Sequence, residues 1–215
     1  MERREFFMIS EKIGKTSYES APRASIYYAM FLLISFLGWV LEEAFFFLRG
    51  RGIVDRGFLS FPICIVYGLG MMATYFAFGL PMHMRLFSFR LSYPEARRKK
   101  LLQTVLYIVL SGAICTFCEL LVGVFMHGSF GLLMWDYRDI PWNIGPYICM
   151  PFALVWGVLA FFFMRYLFLP LLKRLAVMRK NTLFALLLPL TVFLLFDISI
   201  NSTYSFFHRA HMALW

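Results

Sequence analysis

Long apolar runs separated by short polar stretches make up most of the chain. The runs cover Ile26–Leu48, Phe58–Met84, Leu101–Met126, Tyr147–Leu172 and Leu183–Phe207. Each reaches the ~20 residues that a helix needs to cross a hydrocarbon core of ~30 Å at ~1.5 Å per residue. Backbone groups in lipid must be satisfied within their own segment, and the runs are far longer than barrel strands. The pattern predicts an all-α fold, a polytopic membrane bundle of about five transmembrane helices. Residues 1–25 form a polar N-terminal segment, 26–207 the transmembrane domain and 208–215 a short tail.

Composition agrees, since 61% of the 215 residues are apolar and little polar sequence remains for a second, soluble domain. The net charge of +9 raises nucleic acid as a partner, but the placement of the charge argues against it. Basic residues concentrate in the N-terminal segment (Arg3, Arg4, Lys12, Lys15, Arg23), the second loop (Arg85, Arg90, Arg97, Arg98, Lys99, Lys100) and the fourth (Lys173, Arg174, Arg179, Lys180). The other side carries only Arg49, Arg51, Arg56, Arg138 and Arg209. The positive-inside rule places the N-terminus in the cytoplasm and the C-terminus outside. The expected partner is the lipid bilayer, not nucleic acid. The first apolar run follows a polar stretch and is too long for a signal-peptide core, so it reads as an uncleaved anchor. Phe6, Phe7, Ile9 and Ile13 could line a short helix on the inner membrane surface, with a disordered tail as the alternative.

Within the apolar runs stand Glu42, Glu43, Glu119 and Asp197. A carboxylate in hydrocarbon costs about 2.5–3.5 kcal/mol even on a mild insertion scale, so a lipid-facing position is disfavoured. Counted from the inner ends of their helices, all four lie ~22–27 Å deep, in one layer in the outer third of the membrane. Asn201 is one turn beyond Asp197 on the same face. Tyr67 and Trp156 reach a comparable level on the second and fourth runs. Two plainer explanations stand beside a functional cavity. Glu42 and Glu43 could be interfacial, and a buried acid could pair with Arg56 or a tyrosine hydroxyl only to fix helix packing.

The second run opens Pro62-Ile-Cys-Ile-Val-Tyr67-Gly68 and the fourth Pro151-Phe-Ala-Leu-Val-Trp156-Gly157. Each follows an acid-bearing run and a loop containing Asp and Arg. The echo suggests two helical hairpins of like orientation, a parallel repeat. Proline suits the first turn of each helix, where its missing N–H costs nothing. The longest outer loop, His127 to Tyr147, carries Trp135, Asp136, Tyr137, Asp139, Trp142 and Asn143. It reads either as a re-entrant cap or as an interfacial loop anchored by Trp135 and Trp142.

Other chemistry is weakly supported. Cys115 and Cys118 form a C-x-x-C, but inside a membrane helix this spacing merely sets two small side chains on one face, and no second pair completes a zinc set. Cys64 and Cys149 lie near outer helix ends, where a disulfide is conceivable but nothing requires it. Gly14-Lys15-Thr16 echoes the end of a P-loop, yet Ile9 stands where its first glycine belongs. His208 and His211 fit a solvated tail better than a metal site. No cofactor and no metal are expected.

The stretch Phe36-Leu-Gly-Trp39-Val-Leu-Glu42, Arg56-Gly57-Phe58-Leu59, Pro62 and Tyr67-Gly68 resembles the ABC-transporter permease family called type IV, or CmpB-like. So do Glu119 with Gly123, Trp135-Asp136-Tyr137, and Asn143 through Cys149, Phe152 and Trp156-Gly157. The resemblance covers residues 28–165, with Arg138 departing from the family's usual serine. It implies a five-pass protein of the bacterial cytoplasmic membrane and, for a permease, a separate ATPase subunit. A homo-oligomer is compatible with this. The expected substrate-binding set is Glu42, Glu43, Arg56, Tyr67, Glu119, Asp136, Asn143, Trp156, Asp197 and Asn201. The alternatives are an intramembrane enzyme acting on a lipid or isoprenoid-linked headgroup, with Glu42 and Glu119 or Asp136 and Asp139 as acid and base, and a non-catalytic scaffold or regulatory subunit.

Overall fold

The structure, a computed structural model, describes residues 21–50, 52, 58–86, 89–90 and 96–210. Arg56 and the N-terminal Phe6, Phe7, Ile9 and Ile13 lie outside the described residues. Among the described residues, five helical stretches are long and apolar enough to cross a membrane: Arg23–Leu48, Ile65–His83, Arg97–Phe130, Met150–Ala176 and Lys180–His208. They comprise α1 (Arg23–Leu48), α2 (Ile65–Phe78) with a following 3-10 turn at Pro81–His83, α3 (Arg97–Phe130), α4 (Met150–Phe162) and α5 (Phe168–Ala176) joined through a π turn at Phe163–Leu167, and α6 (Lys180–His208). Two-residue hairpins occur between spans, β1 (Arg85–Leu86) with β2 (Phe89–Arg90) and β3 (Asn143–Ile144) with β4 (Ile148–Cys149), both antiparallel.

The expected second span is corrected. Apolar sequence runs from Phe58 to Met84, but the helix begins only at Ile65, three residues after Pro62. Asp197 takes the Ser60 and Phe61 amides and the Ser35 carbonyl takes that of Cys64, so the chain around Pro62 is held outside the helix. Pro151 does sit at the start of α4, as the sequence predicts. Gly79, at φ 67°, ends α2 in a conformation that only glycine adopts freely. The break is secured by Tyr107, whose buried hydroxyl donates to the Gly79 carbonyl at 2.8 Å. The Arg85 guanidinium donates to the Tyr75 carbonyl at 3.1 Å, satisfying one of the last carbonyls of α2.

In the fourth span the π turn precedes Pro170. A proline there cannot donate to the carbonyl four residues back and crowds it, and local unwinding relieves the clash. Pro189 lies inside α6, which continues as α-helix through it. Thr191, two residues on, donates to the Leu187 carbonyl at 2.7 Å and bonds the Tyr28 hydroxyl at 3.0 Å, tying α6 to α1.

Glycines set the spacing of the first four spans. A methyl group at Gly112 of α3 would collide with the Ala153 carbonyl of α4, and one at Gly157 with the Ile108 carbonyl. The two backbones are therefore in direct contact, which lipid-embedded helices achieve only through small residues. Gly68 of α2 makes room for the Ser35 and Phe31 side chains of α1, and Gly38 of α1 leaves room for the Tyr67 ring.

Candidate functional site

Glu42 lies six residues from the end of α1, and the Tyr67 hydroxyl donates to its Oε1 at 3.0 Å. The geometry follows from the helix period. Gly38 is one turn before Glu42, so the tyrosine ring crosses the bare backbone and its tip arrives at the carboxylate. Glu119 is held at both oxygens. Tyr137 donates its hydroxyl to Oε1 at 2.7 Å and Trp156 its indole N–H to Oε2 at 3.2 Å. Only 6% of Glu119 is exposed, so these donors replace the water that a carboxylate would otherwise keep.

The two acids are joined through their donors. The rings of Tyr67 and Trp156 meet edge to face with centroids 5.4 Å apart. Phe152 packs against Trp156 at 6.4 Å and stacks on Tyr137 at 5.2 Å. Glu42, Tyr67, Trp156, Glu119, Tyr137 and Phe152 thus form one continuous cluster drawn from four helices and a loop. The second and fourth spans make equivalent contacts with the helix before them. In each, an aromatic donor reaches a glutamate and the following glycine admits the neighbouring helix, by its side chains at Gly68 and its backbone at Gly157.

The loop from Gly131 to Cys149 covers this end of α3. Gly131 stops the helix in the left-handed region at φ 72°. Trp135 and Tyr147 then lie against Gly123, one turn beyond Glu119, with a Trp135 N–H to Tyr147 carbonyl bond of 2.7 Å. Of the two expected interfacial anchors, Trp142 faces outward, 79% exposed, while Trp135 is half-buried against Gly123, with its N–H bonded to the Tyr147 carbonyl within the loop. Burial pushes the Tyr137 hydroxyl well above its usual range, and neighbouring Glu119 acts in the same direction, so Tyr137 remains a proton donor. On the exposed side, Asp136 is held below the usual carboxylate range by its hydrogen bonds with Arg138.

The other expected site residues fall elsewhere. Asp197 accepts the backbone N–H groups of Ser60 at 3.3 Å and Phe61 at 3.1 Å, and the Asn201 amide at 2.8 Å. Asn201 also reaches the Ser60 hydroxyl at 3.2 Å. These two residues clamp the bent, non-helical stretch before α2, whose amides have no helical partner. Asn143 donates to the carbonyls of Arg138 and Ile140 at 3.0 and 2.8 Å and shapes the covering loop. Glu43 is buried but projects about 100° around α1 from Glu42. Tyr137 and Phe152 are the members the sequence reading omitted, although both lie in quoted motifs. Among the described residues no group of His, Cys, Asp and Glu is arranged to hold a metal, and Cys64, Cys115, Cys118 and Cys149 are free thiols.

The family model described as "Putative ABC-transporter type IV" matches residues 29–202. The chain belongs to that family. The match spans every residue of the Glu42–Glu119 cluster, the covering loop and the Asp197 clamp. As a member of the family the chain is a multi-pass membrane protein of ABC-transporter type. No curated protein and no solved structure matches it.

Proposed function

We propose that the chain is the permease component of a transporter, in which Glu42 and Glu119 accept a polar or cationic solute. The observation that carries this reading is the burial of Glu119 within the bundle, 6% exposed, beside a second acid-bearing contact across the Tyr67–Trp156 pair. Ionisable groups inside membrane bundles are costly and are kept chiefly where a solute, ion or proton uses them. Two carboxylates sharing a low-dielectric cluster favour an arriving cation or a shared proton, so proton coupling is compatible with the same site.

In this reading the site belongs to the outer half of the membrane, as the distribution of basic residues predicts. Family membership supports a separate ATPase subunit as the energy source. Exposed Arg97, Arg98 and Lys99, in the first turn of α3, belong to the opposite end of the bundle, where such a subunit or anionic lipid would be met.

One observation favours a second reading. Both oxygens of Glu119 already have protein donors, as a purely structural tie between α3, α4 and the covering loop would require. Glu119→Gln separates the two. It preserves size and inserts into the membrane, and a transport role predicts loss of substrate uptake or of the matching resistance in cells. Normal uptake by a fully inserted Glu119→Gln protein would leave the structural tie.

A further inference from the structure

We infer that the loop from Gly131 to Cys149 is a cover that moves as one rigid piece, latched shut by the Tyr137 hydroxyl on Glu119. The inference rests on the proposed role of Glu119 and names how access to that site is regulated.

The loop is held together by its own bonds. Tyr137 N–H donates to the Pro146 carbonyl at 3.1 Å, Ile140 N–H to the Tyr137 carbonyl at 2.9 Å, and Trp135 Nε1 to the Tyr147 carbonyl at 2.7 Å. Asn143 closes two further carbonyls, Asp136 grips Arg138, and β3 pairs with β4 around Gly145 at φ 61°. None of these bonds has to break for the loop to leave the bundle. Its hold on the helices is different in kind. Apart from backbone bonds to the adjoining helix termini, Leu132 N–H to the Met126 carbonyl at 3.4 Å and Met150 N–H to the Trp142 carbonyl at 3.2 Å, the loop is tied to the helices by side chains: Tyr137 to Glu119, and the Tyr147 hydroxyl to His127 Nδ1 at 2.7 Å. Ring packing adds to these, Tyr137 on Phe152 and Trp135 with Tyr147 over Gly123. Gly131 supplies a pivot at one end, because its left-handed conformation is free of side-chain strain.

The latch shares its acceptor with the proposed solute. Tyr137 occupies Glu119 Oε1 in the closed state. A cation that takes this oxygen, or a proton that neutralises it, removes the charge that makes the hydroxyl bond strong. Occupancy of the site therefore loosens the cover, and an empty, charged Glu119 draws it shut.

Cys149 supplies the readout. It is 2% exposed, sits where the loop rejoins α4, and lies close enough to Tyr137 for the two groups to interact electrostatically. The full chain is held in nanodiscs and treated with a water-soluble maleimide, and alkylation of the Cys149 peptide is followed by mass spectrometry. Tyr137→Phe keeps the ring stack and deletes only the latch. It should speed labelling about tenfold or more, the factor lost with a hydrogen bond to a charged group. Trp156→Phe deletes the other donor to Glu119 without touching the cover, and should leave the rate within about twofold of the parent. An unchanged rate in Tyr137→Phe overturns the latch. Equal acceleration in both variants overturns it too, since that reports general loosening. The readout needs no substrate: unchanged labelling with uptake lost in Glu119→Gln removes the cover and keeps the transport reading, and the reverse pattern does the opposite.

Discussion

Tyr67 and Trp156 touch edge to face at 5.4 Å, and each donates a hydrogen bond to a different glutamate. Their contact is the junction between the α1–α2 and α3–α4 hairpins at the level of the acids. Each ring depends on the other for packing and on its own carboxylate for orientation. Replacing Tyr67 by Phe and Trp156 by Phe, singly and together, should therefore give a coupling energy of about 0.5–1.5 kcal/mol in a stability cycle. Additive effects would mean that the rings are merely neighbours.

Helix contact between α3 and α4 rests on two glycines. Gly112→Ala pushes a methyl group into the Ala153 carbonyl, which belongs to backbone and cannot turn aside. A loss of about 1–3 kcal/mol is expected, visible as a lowered melting temperature in detergent. Gly128, on the same helix, has open space where its methyl would go. Gly128→Ala should be neutral or stabilising by up to about 1 kcal/mol through helix propensity. Equal destabilisation by both changes would contradict the close approach.

Asp197 serves the backbone. Asp197→Leu strands the N–H groups of Ser60 and Phe61, and each orphaned buried donor costs about 1–3 kcal/mol. Hydrogen exchange should accelerate at those two amides first, with the amides of α3 unchanged. Asp197→Asn keeps one acceptor oxygen and should show an intermediate effect.

The bond between Asp136 and Arg138 gives a pH signature on the exposed face of the cover. Because the folded state lowers the Asp136 pKa, the bond is fully present above the ordinary carboxylate range, near pH 4, and is lost as pH falls through the lowered folded value. Arg138→Ser should return the Asp136 titration to the ordinary range in carbonyl NMR. A titration unmoved by that change would rule the bond out in solution.

Much of this was legible from residue types alone. The apolar runs located five spans because hydrocarbon length and helical rise leave little choice, and the paired aromatic-glycine signature marked Tyr67 and Trp156 at the level of the acids, though not as their donors. Two features were hidden. The break at Pro62 lies inside continuous apolar sequence, and hydropathy cannot tell non-helical chain from helix there; the bonds that hold it out of the helix come from distant Asp197 and the Ser35 carbonyl. The separation of Asp197 from Glu119 was also hidden. Equal depth along parallel helices says nothing about which way each face turns, and the partners of Asp197 are backbone amides, which carry no residue signature. Glycine one turn from each glutamate, Gly38 and Gly123, was the available clue to where the aromatic rings cross.

The most direct test asks whether water and cations reach Glu119. Glu119→Cys is introduced into an otherwise cysteine-free chain and exposed to a cationic and to an anionic methanethiosulfonate reagent of similar size. A solute-accepting acidic site predicts that position 119 reacts, that the cationic reagent is several-fold faster, and that Glu42→Gln removes this preference. No reaction at position 119, or equal rates regardless of Glu42, would contradict a cation-accepting site and leave the two glutamates as ties between helices.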